Sequence, residues 1–173
     1  AANFTVDSDV TTSFDAFIDN SSAAMTFTNT VGANMADATK GLTLLNTGGV
    51  TLNIKGSDGL GASSDALYIN IGNTTGTVAA GSNSALQTTA GTNAGTIAAA
   101  NIETITLDVK ASADSQTATG TGGITATTLT TLNIKGGAMG EAFAVGAITN
   151  SGNSLVKIDG SGFIGNLTVA GLA

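Results

Sequence analysis

One short segment, used more than once, limits what this chain can fold into. Val50-Thr51-Leu52-Asn53-Ile54-Lys55-Gly56 reads almost the same as Thr130-Thr131-Leu132-Asn133-Ile134-Lys135-Gly136, and Thr104–Ala111 repeats it more loosely. In each copy branched apolar residues alternate with Thr, Asn or Lys. That is the period of two that sends successive side chains to opposite faces of a strand. A short strand with one apolar face cannot bury that face alone, but stacked copies build a continuous core. Repeats spaced by roughly 20–50 residues are the usual sequence sign of such a stack.

Leu52, Leu107 and Leu132 mark the copies, 55 and 25 residues apart, and Val156 lies 24 further on. A spacing near 25 fits one turn of a coiled β structure, with two turns in the longer interval. The expected fold is therefore all-β, a parallel, β-helix-like β-solenoid with turns rich in Gly, Asn and Thr. The alternative is an antiparallel β-sandwich, which also uses short alternating strands and Gly-rich turns. Ala66–Gly72, Leu155–Gly160 and Ile164–Val169 read as further strands. Ala23–Lys40 has room for a short helix, against which its Thr content weighs. Residues 138–147 carry no decisive pattern, and 73–93 suit a loop or a weakly patterned strand pair. The chain reads as one β-rich domain, 1–173, with a less regular N-terminal part (1–41) and a repeat-bearing part (42–173). It starts without Met, in what reads as mid-strand, and is expected to be a fragment of a larger surface protein.

Composition supports this and removes whole classes of chemistry. Of 173 residues 29 are Thr and 24 Gly. The absence of Pro leaves no ladder donor missing. With no Cys and no His there is no finger-type zinc site, no Cys nucleophile and no Ser-His-Asp triad. With no Arg and five scattered Lys, nucleic acid is not an expected partner. No apolar run reaches membrane-spanning length, so insertion in a membrane is not expected. Glu103 and Glu141 are the only Glu residues, there is one Tyr and no Trp, and the acids read as surface charge rather than an acid–base pair. No enzymatic activity is expected.

The 12 acids against five Lys give a net charge of −7. Any bound metal would be a hard cation held by oxygen, and calcium is the expected cofactor. The candidate ligands are Asp7 and Asp9, two apart on one strand face, and Asp58 and Asp65, which flank a Gly-rich loop. The competing reading of each is a solvated surface carboxylate. EF-hand spacing is absent, and Gly56-Ser57-Asp58-Gly59-Leu60-Gly61 only echoes the calcium repeat of β-rolls. Lys55, Lys110, Lys135 and Lys157 each come late in a strand. On an outward face they would discourage edge pairing, or pair with acids of a neighbouring subunit.

Asn101-Ile102-Glu103-Thr104-Ile105-Thr106-Leu107 and Leu129-Thr130-Thr131-Leu132-Asn133-Ile134-Lys135-Gly136 together resemble the surface-layer proteins and RTX-type repeat adhesins that Gram-negative bacteria export by type I secretion. The resemblance covers residues 42–56 and 97–170, in a Cys-free setting rich in Thr, Ala, Gly and Asn. It implies a calcium-dependent parallel β-solenoid in a lattice on the bacterial cell surface. It also implies a secretion signal at the C-terminus of the full protein. The family's nonapeptide calcium repeats are missing here, so calcium sites carry over only as loop-borne candidates.

The expected function is that of a structural segment of a secreted S-layer protein that self-assembles extracellularly. Its partners would be copies of itself as lattice neighbours, with cell-surface polysaccharide as a further candidate. The alternative is an adhesin module recognising a carbohydrate or another surface. A regular Thr array on one flat face would suit ice or a crystalline surface, but the outward Thr positions look mixed with Asn, Lys and Asp. A sugar site would need an exposed aromatic, and Tyr68 carries the only phenol.

Overall fold

A computed structural model describes residues 4–7, 17–19, 25–30, 35, 37–38, 41–44, 50–54, 65–71, 96–109, 121–152 and 154–173. They form twelve strands: β1 (Phe4–Asp7), β2 (Phe17–Asp19), β3 (Met25–Thr30), β4 (Leu42–Leu44), β5 (Val50–Ile54), β6 (Ala66–Ile71), β7 (Thr96–Ala100), β8 (Thr104–Val109), β9 (Gly123–Ala126), β10 (Thr131–Val145), β11 (Ile148–Asn150) and β12 (Lys157–Val169).

The strands alternate between two sheets. One has the order β1-β3-β5-β7-β9-β11 and the other β12-β10-β8-β6-β4-β2. Every pairing among the described strands is parallel. Parallel neighbours need a long crossover, and here each crossover carries a strand of the other sheet. The architecture is all-β, all-parallel, curled and solenoid-like. The antiparallel sandwich does not fit it, because hairpins would pair consecutive strands and consecutive strands here belong to different sheets.

Registers turn the period of two into columns of aliphatic side chains. Met25, Val50, Ile97, Ile124 and Ile148 are successive partners in the odd-strand sheet. Leu42, Ile69, Leu107 and Ile134 are successive partners in the even-strand sheet. All nine are buried and belong to one core, which also takes in Phe27, Met35 and Phe143.

The structure decides three points that the pattern left open. Within Ala23–Lys40 the residues Met25–Thr30 form a strand, not a helix. Met25 and Phe27 are buried there while Thr26 and Thr28 are not, and branched Thr at alternate positions favours extended backbone. Residues 138–145 continue β10. The two most similar heptads do not stack on each other: Thr51 pairs with Thr26 and Ala98, whereas Thr131 pairs with Thr104 and Lys157 in the other sheet. Likewise Leu132 lies opposite Ile105, and Leu107 opposite Ile134. A shift of two residues keeps every side chain on its own face, so the pattern alone leaves register open by steps of two.

Long β10 turns a corner at Gly136 and Gly137, whose φ values are +83° and +77°. A Cβ on Gly136 would lie 2.1 Å from the Val109 carbonyl oxygen of the rung below. Only Gly combines that backbone conformation with so close an approach.

Leu107→Ala is expected to lower unfolding free energy by about 2–5 kcal/mol, the usual cost of emptying a packed core position. Thr125→Ala on the outer surface should stay within about 0.5 kcal/mol. Denaturant titration of both variants checks this.

Candidate functional site

The described side chains that carry charge gather on the even-strand sheet, at the corner that leads into it and at Asp37. Three layers of that region can be built from the sequence upward.

The first is a stacked corner. The Asp65 carbonyl accepts from the amides of Glu103 (3.1 Å) and Thr104 (3.0 Å). The Glu103 carbonyl does the same for Thr130 (2.8 Å) and Thr131 (3.0 Å), and the Thr130 carbonyl for Val156 (2.9 Å) and Lys157 (3.1 Å). Each rung thus hands two amide donors to the carbonyl of the rung before it. Side chains reinforce the joint. The Asp65 amide donates to Glu103 Oε2 at 3.0 Å, and the Thr130 hydroxyl donates to the Glu103 carbonyl at 2.9 Å. The Ile-Glu-Thr phrase is a corner joint in this chain.

The second layer is a cluster on the outward side of β6, β8 and β10. Asp108 lies beside Asn70 on one side and Lys135 on the other. The Tyr68 hydroxyl donates to Asp108 Oδ2. Lys135 Nζ is 3.7 Å from the same oxygen and 4.9 Å from the centre of the Tyr68 ring. Tyr68 and Asp108 are buried, and the Lys135 side chain is half-buried. Burial, and then the Asp108 carboxylate, push the Tyr68 phenol well above its ordinary pKa. A carboxylate taken out of water needs such partners, and the ammonium over the ring adds a cation–π contact.

The third layer is on β12. Lys157 Nζ sits 2.8 Å from Asp159 Oδ2, and the Ser161 hydroxyl (2.6 Å) and amide (3.0 Å) donate to Asp159 Oδ1. The Lys157 contact, followed by those from Ser161, holds the Asp159 carboxyl well below the usual carboxylate range. The group is exposed, so solvent screens most of the gain.

The four expected calcium ligands do not meet among these residues. Asp65 is buried in the stacked corner, next to Glu103. Asp7 ends β1. Asp9 and Asp58 lie outside the described residues, as do Lys55 and Lys110. Calcium takes six to eight oxygens. At the Asp65–Glu103 corner the two backbone carbonyls already accept two amides each. No group of three or more acidic side chains placed to hold a metal occurs among the described residues. Tyr68 is no open platform for a sugar, since only 7% of it is exposed.

The sequence pointed to Asp residues beside Gly-rich loops and passed over Asp108. The available signal was its place in the outward column with Tyr68 two residues off register and Lys135 directly opposite. Among the described residues no helix is long and apolar enough to cross a membrane. Comparison with protein-family models, with characterised proteins and with solved structures gives no match.

Tyr68→Phe is expected to destabilise the fold by about 1–3 kcal/mol by leaving the buried Asp108 carboxylate short of a donor. Because the folded phenol holds its proton more tightly than the unfolded one, its contribution is complete below about pH 10 and declines as pH rises through the raised value. Wild-type melting temperature should therefore fall more steeply above that pH than the variant's, as alkaline thermal melts would show.

Proposed function

We propose that this chain is a structural segment of a secreted bacterial surface-layer protein, built as a closed β-solenoid with Gly-, Asn- and Thr-rich corners, that assembles with copies of itself outside the cell. The observation that carries this reading is the all-parallel stack, in which each rung hands its amides to the carbonyl of the rung before it. Among the described strands the 13-residue β12 pairs with β10 alone. Around it Val156, Ile158, Ile164 and Leu172 are exposed by 87, 41, 58 and 64%. Leu155, Phe163, Leu167 and Val169 are partly buried against the core. A shallow cavity lined by Ile148, Asn150, Leu155, Leu172 and Ala173 opens at the same end. Such an edge is where one further rung stacks, and in this proposal a copy of the chain can supply that rung.

The segment has the character of building material. Its polar side chains are spent on joints between rungs, as at Glu103, and on an internal carboxylate cluster, as at Asp108. Calcium enters the proposal through the excess of acids, with Asp7, Asp9 and Asp58 as the remaining candidates for bridging between copies. The described residues do not supply such a site by themselves.

Sedimentation of the full chain should show association that grows with protein concentration and is suppressed by Ile164→Lys. A chain that stays monomeric at every concentration, with calcium or without it, would contradict the assembly reading. If excess EDTA leaves both melting temperature and association unchanged, calcium has no part in it.

A further inference from the structure

The first leg of β12 has a charge pattern that is its own complement. Lys157, Ile158 and Asp159 are the register partners of Thr131, Leu132 and Asn133. Ile158 therefore ends the inward column Leu67, Ile105, Leu132. Those three are buried, whereas Ile158, with no rung beyond it, is exposed. Lys157 and Asp159 flank it on the outward side, with side chains 60 and 30% exposed.

The other sheet ends on a polar group. Asn150 takes the register position that Leu52, Ala99 and Ala126 hold in earlier odd strands. Its Nδ2 donates to the Leu129 carbonyl at 2.7 Å and to the Ser154 hydroxyl at 3.3 Å. Its Oδ1 is buried and has no donor among the described residues, although Asn150 lines the cavity at this end. A buried carbonyl left without a donor is costly. The occupant of this end must therefore bring donors as well as apolar surface, and a β edge, with its row of unpaired amides, brings both.

We propose that the occupant is the same end of a second copy, placed tail to tail by a two-fold axis that passes through Ile158 normal to the even-strand sheet. The proposal rests on the assembly reading above and specifies its contact. The two β12 edges pair antiparallel, with Ile158 opposite the copy's Ile158. Lys157 then lies opposite the copy's Asp159, and Asp159 opposite the copy's Lys157, as a two-fold interface requires. Opposite charges directly across an antiparallel pair are stabilising. Lys157 and Asp159 also pair within one copy at 2.8 Å, so four charges alternate around the axis. Beneath them the aliphatic column runs on from one copy into the other. The last rung, residues 154–173, matches the roughly 20–30 residues a side of a standard interface.

Other occupants fit less well. Stacking a copy's first rung on the last would continue the columns in register. Asp19 of β2 belongs to the column of Leu44, Ile71, Val109 and Gly136, which ends at Phe163. Ile71 and Val109 are buried, and a carboxylate is a poor addition to such a line. Moreover β2 offers three residues to the thirteen of β12. A lipid layer brings no donor to Asn150, and Asp159 offsets any attraction of Lys157 to anionic headgroups.

The test uses the full chain, with circular dichroism as the check on folding. Sedimentation should show a dimer as the first and tightest species. Lys157→Asp and Asp159→Lys, each alone, set like charges across the axis and should weaken the dimer about tenfold or more. Mixed in equal amounts, the two variants should associate with each other about as well as wild type does, because each supplies the charge that the other lacks. Direct antiparallel partners are about 4.5–5.5 Å apart, within reach of a disulfide. Oxidation should therefore link Ile158→Cys into a covalent dimer and leave Thr125→Cys, on the other sheet, monomeric. Single variants that dimerise as wild type does, or a mixture as weak as either variant alone, overturn the proposal. Oligomers that grow past the dimer and that both single variants leave intact refute the two-fold contact while the assembly reading stands. A folded chain that is monomeric at every concentration refutes both.

Discussion

The rest of the structure depends on in-register stacking of inward aliphatic side chains. Each strand has too little apolar area to hold a position by itself. Val50 becomes buried because Met25 lies on one side and Ile97 on the other, and Leu107 because Ile69 and Ile134 flank it. The hydrophobic effect rewards the column as a whole, so a rung that slips by one residue would turn its apolar set outward. Hydrogen bonds follow from that arrangement. The corner at Asp65, Glu103 and Thr130 is close-stacked because the rungs on either side are already in register.

With the interior fixed, the outer faces are free to diverge. The even-strand sheet receives Asp108, Lys135, Lys157 and Asp159, and partners them among themselves and with Tyr68 and Ser161. The odd strands β3, β5, β7, β9 and β11 contain no charged residue, while β1 ends in Asp7. Among the described side chains, Asp108, Lys135, Lys157 and Asp159 lie on the even-strand sheet.

Much of this was legible from alternation alone. Val50-Thr51-Leu52-Asn53-Ile54 announces a strand and both of its faces, and the parallel coil follows from the recurrence of such segments. Register was not legible, because Leu107 and Leu132 share a face whether the offset is 25 or 27, and only the packing of neighbours decides. Nor was the assignment of rungs to sheets, since Val50–Gly56 and Thr130–Gly136 are alike yet belong to different sheets. Ala23–Lys40 had room for a short helix, and its Thr content already weighed against one: Met25–Thr30 is a strand with Thr26 and Thr28 outward. Among the candidate ligands Asp65 is buried beside Glu103. Its setting is a corner joint, because a Gly-rich neighbourhood marks turns whether or not they bind a cation.

The register between β8 and β10 is the most direct point of test, and the Cys-free sequence makes it accessible through paired cysteines. Thr104 and Thr131 are direct partners, whereas the heptad repeat would place Thr131 opposite Thr106. Direct parallel partners lie about 4.8 Å apart, within the roughly 4.4–6.8 Å that a disulfide spans, and a diagonal pair lies outside it. Oxidation of the folded chain should close a disulfide in Thr104→Cys/Thr131→Cys and leave Thr106→Cys/Thr131→Cys open. The reverse result would contradict the stacking described here.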